Sequence, residues 1–99
     1  LRELLGLPPC FEGIIYDTAS ISTLHALAAA RESLGLRVRE EGLAGRADLP
    51  LLCVYVSEQA HSSVEKSVIA LGLGQRALRR IPTDEQFRMD VGALERAIR

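Results

Sequence analysis

The run Leu51–Val56, with the sequence LLCVYV, is the feature that most limits what this chain can fold into. It consists of six consecutive apolar residues, and three of them are β-branched or aromatic. Such a run is typical of a strand that is covered on both faces, as in a parallel sheet with a helix layer on each side. The run therefore predicts an α/β protein.

Phe11–Asp17 is rich in β-forming residues and Ala77–Pro82 is a shorter and weaker strand candidate, and a segment with helical features follows each of the three strand candidates. The first helix is predicted to begin at Thr18 and the last at Asp90, which are both N-cap residue types. The second is predicted over HSSVEKSVIALGLG, and the charged segment Leu36–Pro50 is predicted to be a connection. The order β-α-β-α-β-α predicts a three-layer α/β/α fold with a mainly parallel sheet.

Length and composition argue against several classes of protein. The 99 residues suffice for one small domain, and a net charge of -1 with 4% aromatic residues argues against a nucleic-acid or acidic-membrane partner. No apolar run approaches the roughly 20 residues that span a bilayer. Cys10 and Cys53 are isolated, which is typical of a reduced, cytoplasmic protein. The chain begins at Leu1, and we expect it to be part of a longer one.

The sequence DTASIST, residues 17–23, lies where the first predicted strand meets its helix. Small side chains, hydroxyl groups and the unpaired amides of a first helical turn favour an anion such as a phosphate. A hydroxyl-rich helix cap without a ligand explains the same residues. Asp17 would repel a bound anion, unless its carboxylate points away or caps the helix. The glycine-rich fingerprints of dinucleotide and triphosphate sites are missing.

The sequence QAHSS lies at the second junction, where the LLCVYV strand meets its helix. His61 is a candidate general base, ring-stacking group or metal ligand there, and a polar helix cap is the simpler alternative. A metal site is poorly supported because no second ligand stands at a suitable spacing. His25, in the middle of the first helix, is interpreted as structural. Lys66, the only lysine, is expected to face solvent, as is the pair formed by Arg79 and Arg80.

The three blocks DTASISTLHALAAARE, LLCVYVSEQAHSSVEKSVIALGLG and IPTDEQFRMDVGALERAI, taken together, resemble the pyridoxal phosphate-dependent decarboxylases of the aromatic amino acid group. They appear in the order and at the spacing of that family and cover Phe11 to Ile98. SEQAHSSVEK is the most specific block. The resemblance implies the large, cofactor-binding domain of a PLP-dependent transferase-like fold, with residues 1–99 forming its N-terminal part.

The resemblance also implies a function and roles for four residues. In such enzymes the histidine of the HSS motif, here His61, stacks on the pyridine ring of pyridoxal 5'-phosphate and is the candidate catalytic residue. Thr18, Ala19 and Ser20 match the residues that hold the cofactor phosphate. The parent protein is expected to be a homodimer that converts an aromatic or related L-amino acid to an amine and carbon dioxide, without a metal ion.

This sequence departs from the family pattern at several positions. Many relatives have a glycine at Asp17 and a glutamate at Ile21, so the resemblance fixes the phosphate contacts less closely than it fixes the position of His61. Lys66 does not match the lysine that holds the cofactor in this family, and neither Asp84 nor Asp90 matches the aspartate that pairs with the pyridine nitrogen. We therefore expect residues 1–99 alone to be inactive. A non-catalytic module that binds a phosphorylated ligand, and a structural or partner-binding α/β domain, are the alternatives.

Overall fold

The structure is a computed structural model that describes all residues from Leu1 to Arg99. It contains four α-helices, two strands and one short 3₁₀ helix. No helix has both the length and the apolar character required to cross a bilayer. The elements in chain order are α1 (Ala19–Glu32), α2 (Val38–Glu41), β1 (Val54–Ser57), α3 (Ser62–Ala70), the 3₁₀ helix (Gln75–Ala77), β2 (Leu78–Ile81) and α4 (Val91–Ile98).

The two strands form a parallel pair in which Val54 lies opposite Leu78 and Ser57 lies opposite Ile81. The ladder extends one residue beyond β1, because the backbone N–H of Glu58 donates to the carbonyl of Ile81 at 2.9 Å. Helix α3 connects the strands, as expected of a β-α-β unit, since parallel neighbours require a crossover connection. The predicted parallel pairing of the second and third strand candidates is confirmed.

The prediction of a strand over Phe11–Asp17 is wrong. This segment has no strand partner, and Ile14 and Ile15 are 70% and 82% exposed. A β-rich sequence becomes a strand only where a neighbouring backbone accepts and donates its hydrogen bonds, and none lies beside this segment. For the same reason β1 begins at Val54 and not at Leu51, because β2 provides no partner for the first three residues of the apolar run. The sheet accordingly has two strands, and the three-layer arrangement stays a prediction.

Helix α1 packs against helix α3 and so brings the two predicted junctions to the same side of the molecule. The guanidinium of Arg31 donates to the carbonyl of Leu71 at 2.6 Å and ties the end of α1 to the end of α3. Ser63 and Ser67 are buried on α3, and such small side chains allow two helices to approach closely. Gly35 follows the end of α1 with a φ of 68°, a conformation that glycine adopts at little cost.

The core of this chain is small. Only five of the 99 residues are buried, and the apolar ones are Val68, Ala77 and Ile81. Leu4, Ile15 and Leu51, by contrast, are each more than 80% exposed. Large apolar side chains are therefore left on the surface of this chain at several places.

Candidate functional site

The first turn of α1 presents a set of hydrogen-bond donors that have no partner within the chain. Thr18 is the N-cap, and its hydroxyl oxygen accepts the backbone N–H of Ile21 at 3.2 Å. The backbone N–H groups of Ala19 and Ser20 make no hydrogen bond, and the first turn contains no acidic residue. The positive end of a helix dipole and free amides together favour an anion. The donor set therefore fits a phosphate group.

Asp17 takes no part in capping this helix. Thr18 fills the N-cap position, and the exposed Asp17 carboxylate forms no hydrogen bond or ion pair. The idea that Asp17 caps the helix is thus wrong.

His61 is the N-cap of α3, so the simpler interpretation of this histidine is confirmed. Its backbone is extended, and its Nδ1 atom accepts the backbone N–H of Ser63 at 3.1 Å. Nε2 has no partner within the chain and the residue is exposed. The cap fixes the ring at one edge and leaves the other edge and the faces open.

The starts of α1 and α3 lie side by side. A cleft of about 180 Å³ between the two helices is lined by Ser20, Ile21, Leu24, Ser63, Lys66, Ser67 and Ala70. Ser20 is two residues beyond the N-cap of α1, and Ser63 is two residues beyond the N-cap of α3. The structure therefore brings Ser20 next to the helix that His61 caps, while Thr18, Ala19 and His61 do not line the cleft itself. A larger open groove of about 500 Å³ lies near Arg2 and Phe11, outside both helix starts.

A second pair of side chains, Glu58 and Thr83, borders the turn that carries His61. One oxygen of the Glu58 carboxylate accepts the backbone N–H of Thr83 at 3.0 Å and its hydroxyl at 2.8 Å. These two bonds, the hydroxyl first, hold the pKa of Glu58 below its usual value. Sequence reasoning missed this pair. The available signal was that both residues follow neighbouring parallel strands, whose carboxyl ends meet at one edge of a sheet.

The remaining polar residues considered from the sequence, His25, Arg80 and Lys66, lie outside the two helix starts. Two of them have partners within the chain, and Lys66 forms no ion pair. The rings of His25 and Tyr16 pack edge to face with centroids 4.9 Å apart. Arg80 pairs with Glu65 at 2.7 Å. Lys66 is exposed, as expected, and forms no ion pair. No group of three or more His, Cys, Asp or Glu side chains is arranged to hold a metal ion.

Comparison with known proteins identifies the family. The pyridoxal-dependent decarboxylase conserved domain matches residues 1–99. Aromatic-L-amino-acid decarboxylase of Sus scrofa is 38% identical over 108 residues, and that of Bacillus atrophaeus is 32% identical over 99 residues. Histidine decarboxylase of Mus musculus is 37% identical over 109 residues. These alignments cover at least 99% of this chain, but the chain spans only 22%, 18% and 16% of the three relatives, respectively.

A solved structure gives the same result. The crystal structure of mouse CSAD matches with a TM-score of 0.86 at 33% identity, and the match covers 98% of this chain and 20% of that one. The free donors at α1 are of the kind that bind a phosphate, and the exposed imidazole at α3 is of the kind that stacks on an aromatic ring. The chain therefore belongs to the pyridoxal-dependent decarboxylase family, whose cofactor is pyridoxal phosphate.

Proposed function

We propose that residues 1–99 form the N-terminal part of the large cofactor-binding domain of an amino acid decarboxylase. The reaction would convert an aromatic or related L-amino acid to an amine and carbon dioxide. The observation that carries the proposal is the adjacency of two helix starts, one with free donors for a phosphate and one with an exposed imidazole ring. The curated relatives are named for decarboxylation of aromatic amino acids and of histidine, which supports a substrate with a ring.

Thr18, Ala19 and Ser20 hold the cofactor phosphate in this proposal. The amides of Ala19 and Ser20 donate along the helix axis, where the dipole of α1 adds its positive end. The hydroxyl groups of Thr18 and Ser20 are further donors, because the bond that Thr18 accepts from Ile21 leaves its own proton free. These contacts would orient the cofactor without any covalent bond from this part of the chain.

His61 covers one face of the cofactor ring in this proposal. Its bond to Ser63 holds the exposed imidazole at the start of α3, which would preorganise the ring for stacking. Pyridoxal phosphate, when bound, supplies an electron sink for the charge that develops as the substrate loses carbon dioxide. The imidazole would exclude water from the face that it covers.

The remainder of the proposal concerns the protein as a whole. We infer a cytoplasmic homodimer with a three-layer α/β/α large domain. The cofactor lysine would lie outside residues 1–99, since Lys66, the only lysine in this chain, does not match the motif. Residues 1–99 alone would then be inactive.

An absorbance titration of the full-length protein with pyridoxal phosphate, before and after borohydride reduction, tests the proposal. A visible band that reduction converts to a cofactor label retained on the protein is expected. His61→Ala should weaken cofactor binding, whereas His25→Ala, which alters the other histidine, should not. A folded protein that produces no band would contradict the proposal.

The second candidate is a module that binds a phosphorylated ligand without catalysis. The free donors of α1 favour it, because they need no lysine to bind an anion. It predicts reversible binding of pyridoxal phosphate, with no label retained after borohydride. The same titration therefore separates the two functions.

A further inference from the structure

The turn that carries His61 is connected to the segment after β2 through a single carboxylate. Within the turn, the hydroxyl of Ser57 accepts the N–H of Gln59 at 3.1 Å, and the carbonyl of Ser57 accepts the N–H of Ala60 at 2.9 Å. These bonds set only the local shape of the turn. Its side-chain connection across the sheet edge is the pair of bonds from Thr83 to Glu58.

The segment on the other side of this connection is itself held in place. Thr83 and Met89 form an isolated antiparallel bridge, and the N–H of Asp90 donates to the carbonyl of Pro82 at 2.9 Å. A carboxylate that accepts two bonds from such a segment is restrained in both distance and direction, and charge-assisted bonds are stronger than neutral ones. The two bonds to Glu58 therefore restrain the turn before α3 relative to the segment after β2.

We propose that Glu58, acting with Thr83, is a positioning residue for His61. Glu58 is three residues before His61 and forms no hydrogen bond with its ring, so it acts through the backbone of the turn. When the bonds to Thr83 are made, they hold the start of α3 in the position from which His61 covers the cofactor ring. This role depends on the proposed function, since it concerns the placement of a ring-stacking group.

A double-mutant cycle in the full-length protein tests this role, with the dissociation constant of pyridoxal phosphate as the readout. Glu58→Ala and Thr83→Val should each weaken binding by about fivefold to tenfold, the range expected for loss of one or two hydrogen bonds. Thr83→Ser, which keeps both donors, should restore wild-type binding. The circular dichroism of the bound cofactor at saturation should also change in Glu58→Ala, because the imidazole of His61 is displaced from the face of the cofactor.

The decisive comparison is between His61→Ala and the double variant with Glu58→Ala. If Glu58 acts through His61, the double variant binds the cofactor no more weakly than His61→Ala alone. Glu65→Ala is the matched control, because Glu65 also links α3 to neighbouring elements, through Arg80 in β2 and Gln75 in the 3₁₀ helix. Its effect should add to that of His61→Ala.

The outcomes separate this role from the proposed function. A wild-type protein that does not bind pyridoxal phosphate would overturn both. A wild-type protein that binds, combined with additive effects of Glu58→Ala and His61→Ala, would overturn the positioning role alone. Weak binding by both Thr83→Val and Thr83→Ser would also overturn it, because the hydroxyl would then have no part in the effect.

Discussion

The Nδ1 atom of His61 lies 3.1 Å from the backbone nitrogen of Ser63 and accepts its hydrogen. One side chain therefore satisfies one of the amides in the first turn of α3 and also presents an exposed ring at the start of that helix. The cap uses the in-plane lone pair of Nδ1, whereas the proposed stacking would use the faces of the ring. They can be separated by substitution.

His61→Asn should keep the cap but lose the ring, whereas His61→Ala should lose both. Replacing an N-cap by alanine costs about 1 kcal/mol, while asparagine is among the best N-cap residues. Amides in the first turn of α3 should therefore exchange roughly fivefold faster in His61→Ala, with little change in His61→Asn. Hydrogen exchange of the full-length protein measures this difference, and pyridoxal phosphate binding should be weaker in both variants. Tight cofactor binding by His61→Asn would show that the ring is unnecessary.

Thr18→Ala and Thr18→Ser provide the corresponding test at α1. The alanine variant loses the bond to the N–H of Ile21 and one hydroxyl donor, and the serine variant keeps both. We expect a loss of about 1 kcal/mol of local stability and weaker pyridoxal phosphate binding in Thr18→Ala only. The control ligand is pyridoxal, which lacks the phosphate, and its affinity should be nearly equal in the two variants. An equal loss of affinity for both ligands would place Thr18 away from the phosphate.

Helix starts were predictable from the sequence because capping is local. Thr18, His61 and Asp90 each accept a backbone N–H two or three residues further along, so residue type and position carry the whole signal. The parallel pairing of β1 and β2 was also predictable, since the intervening α3 leaves few other arrangements.

Strand boundaries and contacts distant in sequence were not predictable. Whether Phe11–Asp17 forms a strand depends on a partner backbone that its own sequence does not encode, and it has none in this structure. Glu58 and Thr83 are 25 residues apart, and only the register of Ser57 opposite Ile81 brings them to the same edge. The stacking of a ring on His61 and the binding of a phosphate at Thr18 stay predictions that rest on the family.

The loop after β2 should loosen in acid. The pKa of Asp84 lies below its usual value, chiefly because the backbone N–H of Arg88 donates to its carboxylate, with further bonds from the Arg88 side chain and from Gln86. A lowered folded-state pKa means that the stabilisation is complete above the ordinary aspartate pKa of about 3.9 and is lost as the pH falls through the folded value. Protection of the Gln86 and Arg88 amides should therefore be constant from pH 7 to 5 and decrease below about pH 4.

Asp84→Asn supplies the matched comparison for this loop. It removes the charge and should leave protection low and independent of pH, while Glu85→Gln, at an exposed carboxylate without a hydrogen-bond partner, should behave as the wild type. Hydrogen exchange corrected for the intrinsic rate at each pH makes the measurement. Unchanged protection of the wild-type loop at pH 3 would show that the carboxylate bonds do not hold it.

Residues 1–99 produced alone should self-associate. Burial of apolar surface contributes about 25 cal/mol per Å², and with only Val68, Ala77 and Ile81 buried as apolar residues this chain gains little from it. Its two-stranded sheet also leaves backbone donors and acceptors unpaired at both edges, which invites pairing with another copy. Light scattering coupled to size exclusion should detect oligomers or aggregates, and thermal unfolding should be broad. A monomer that melts in one sharp transition would show that the small core is sufficient for folding.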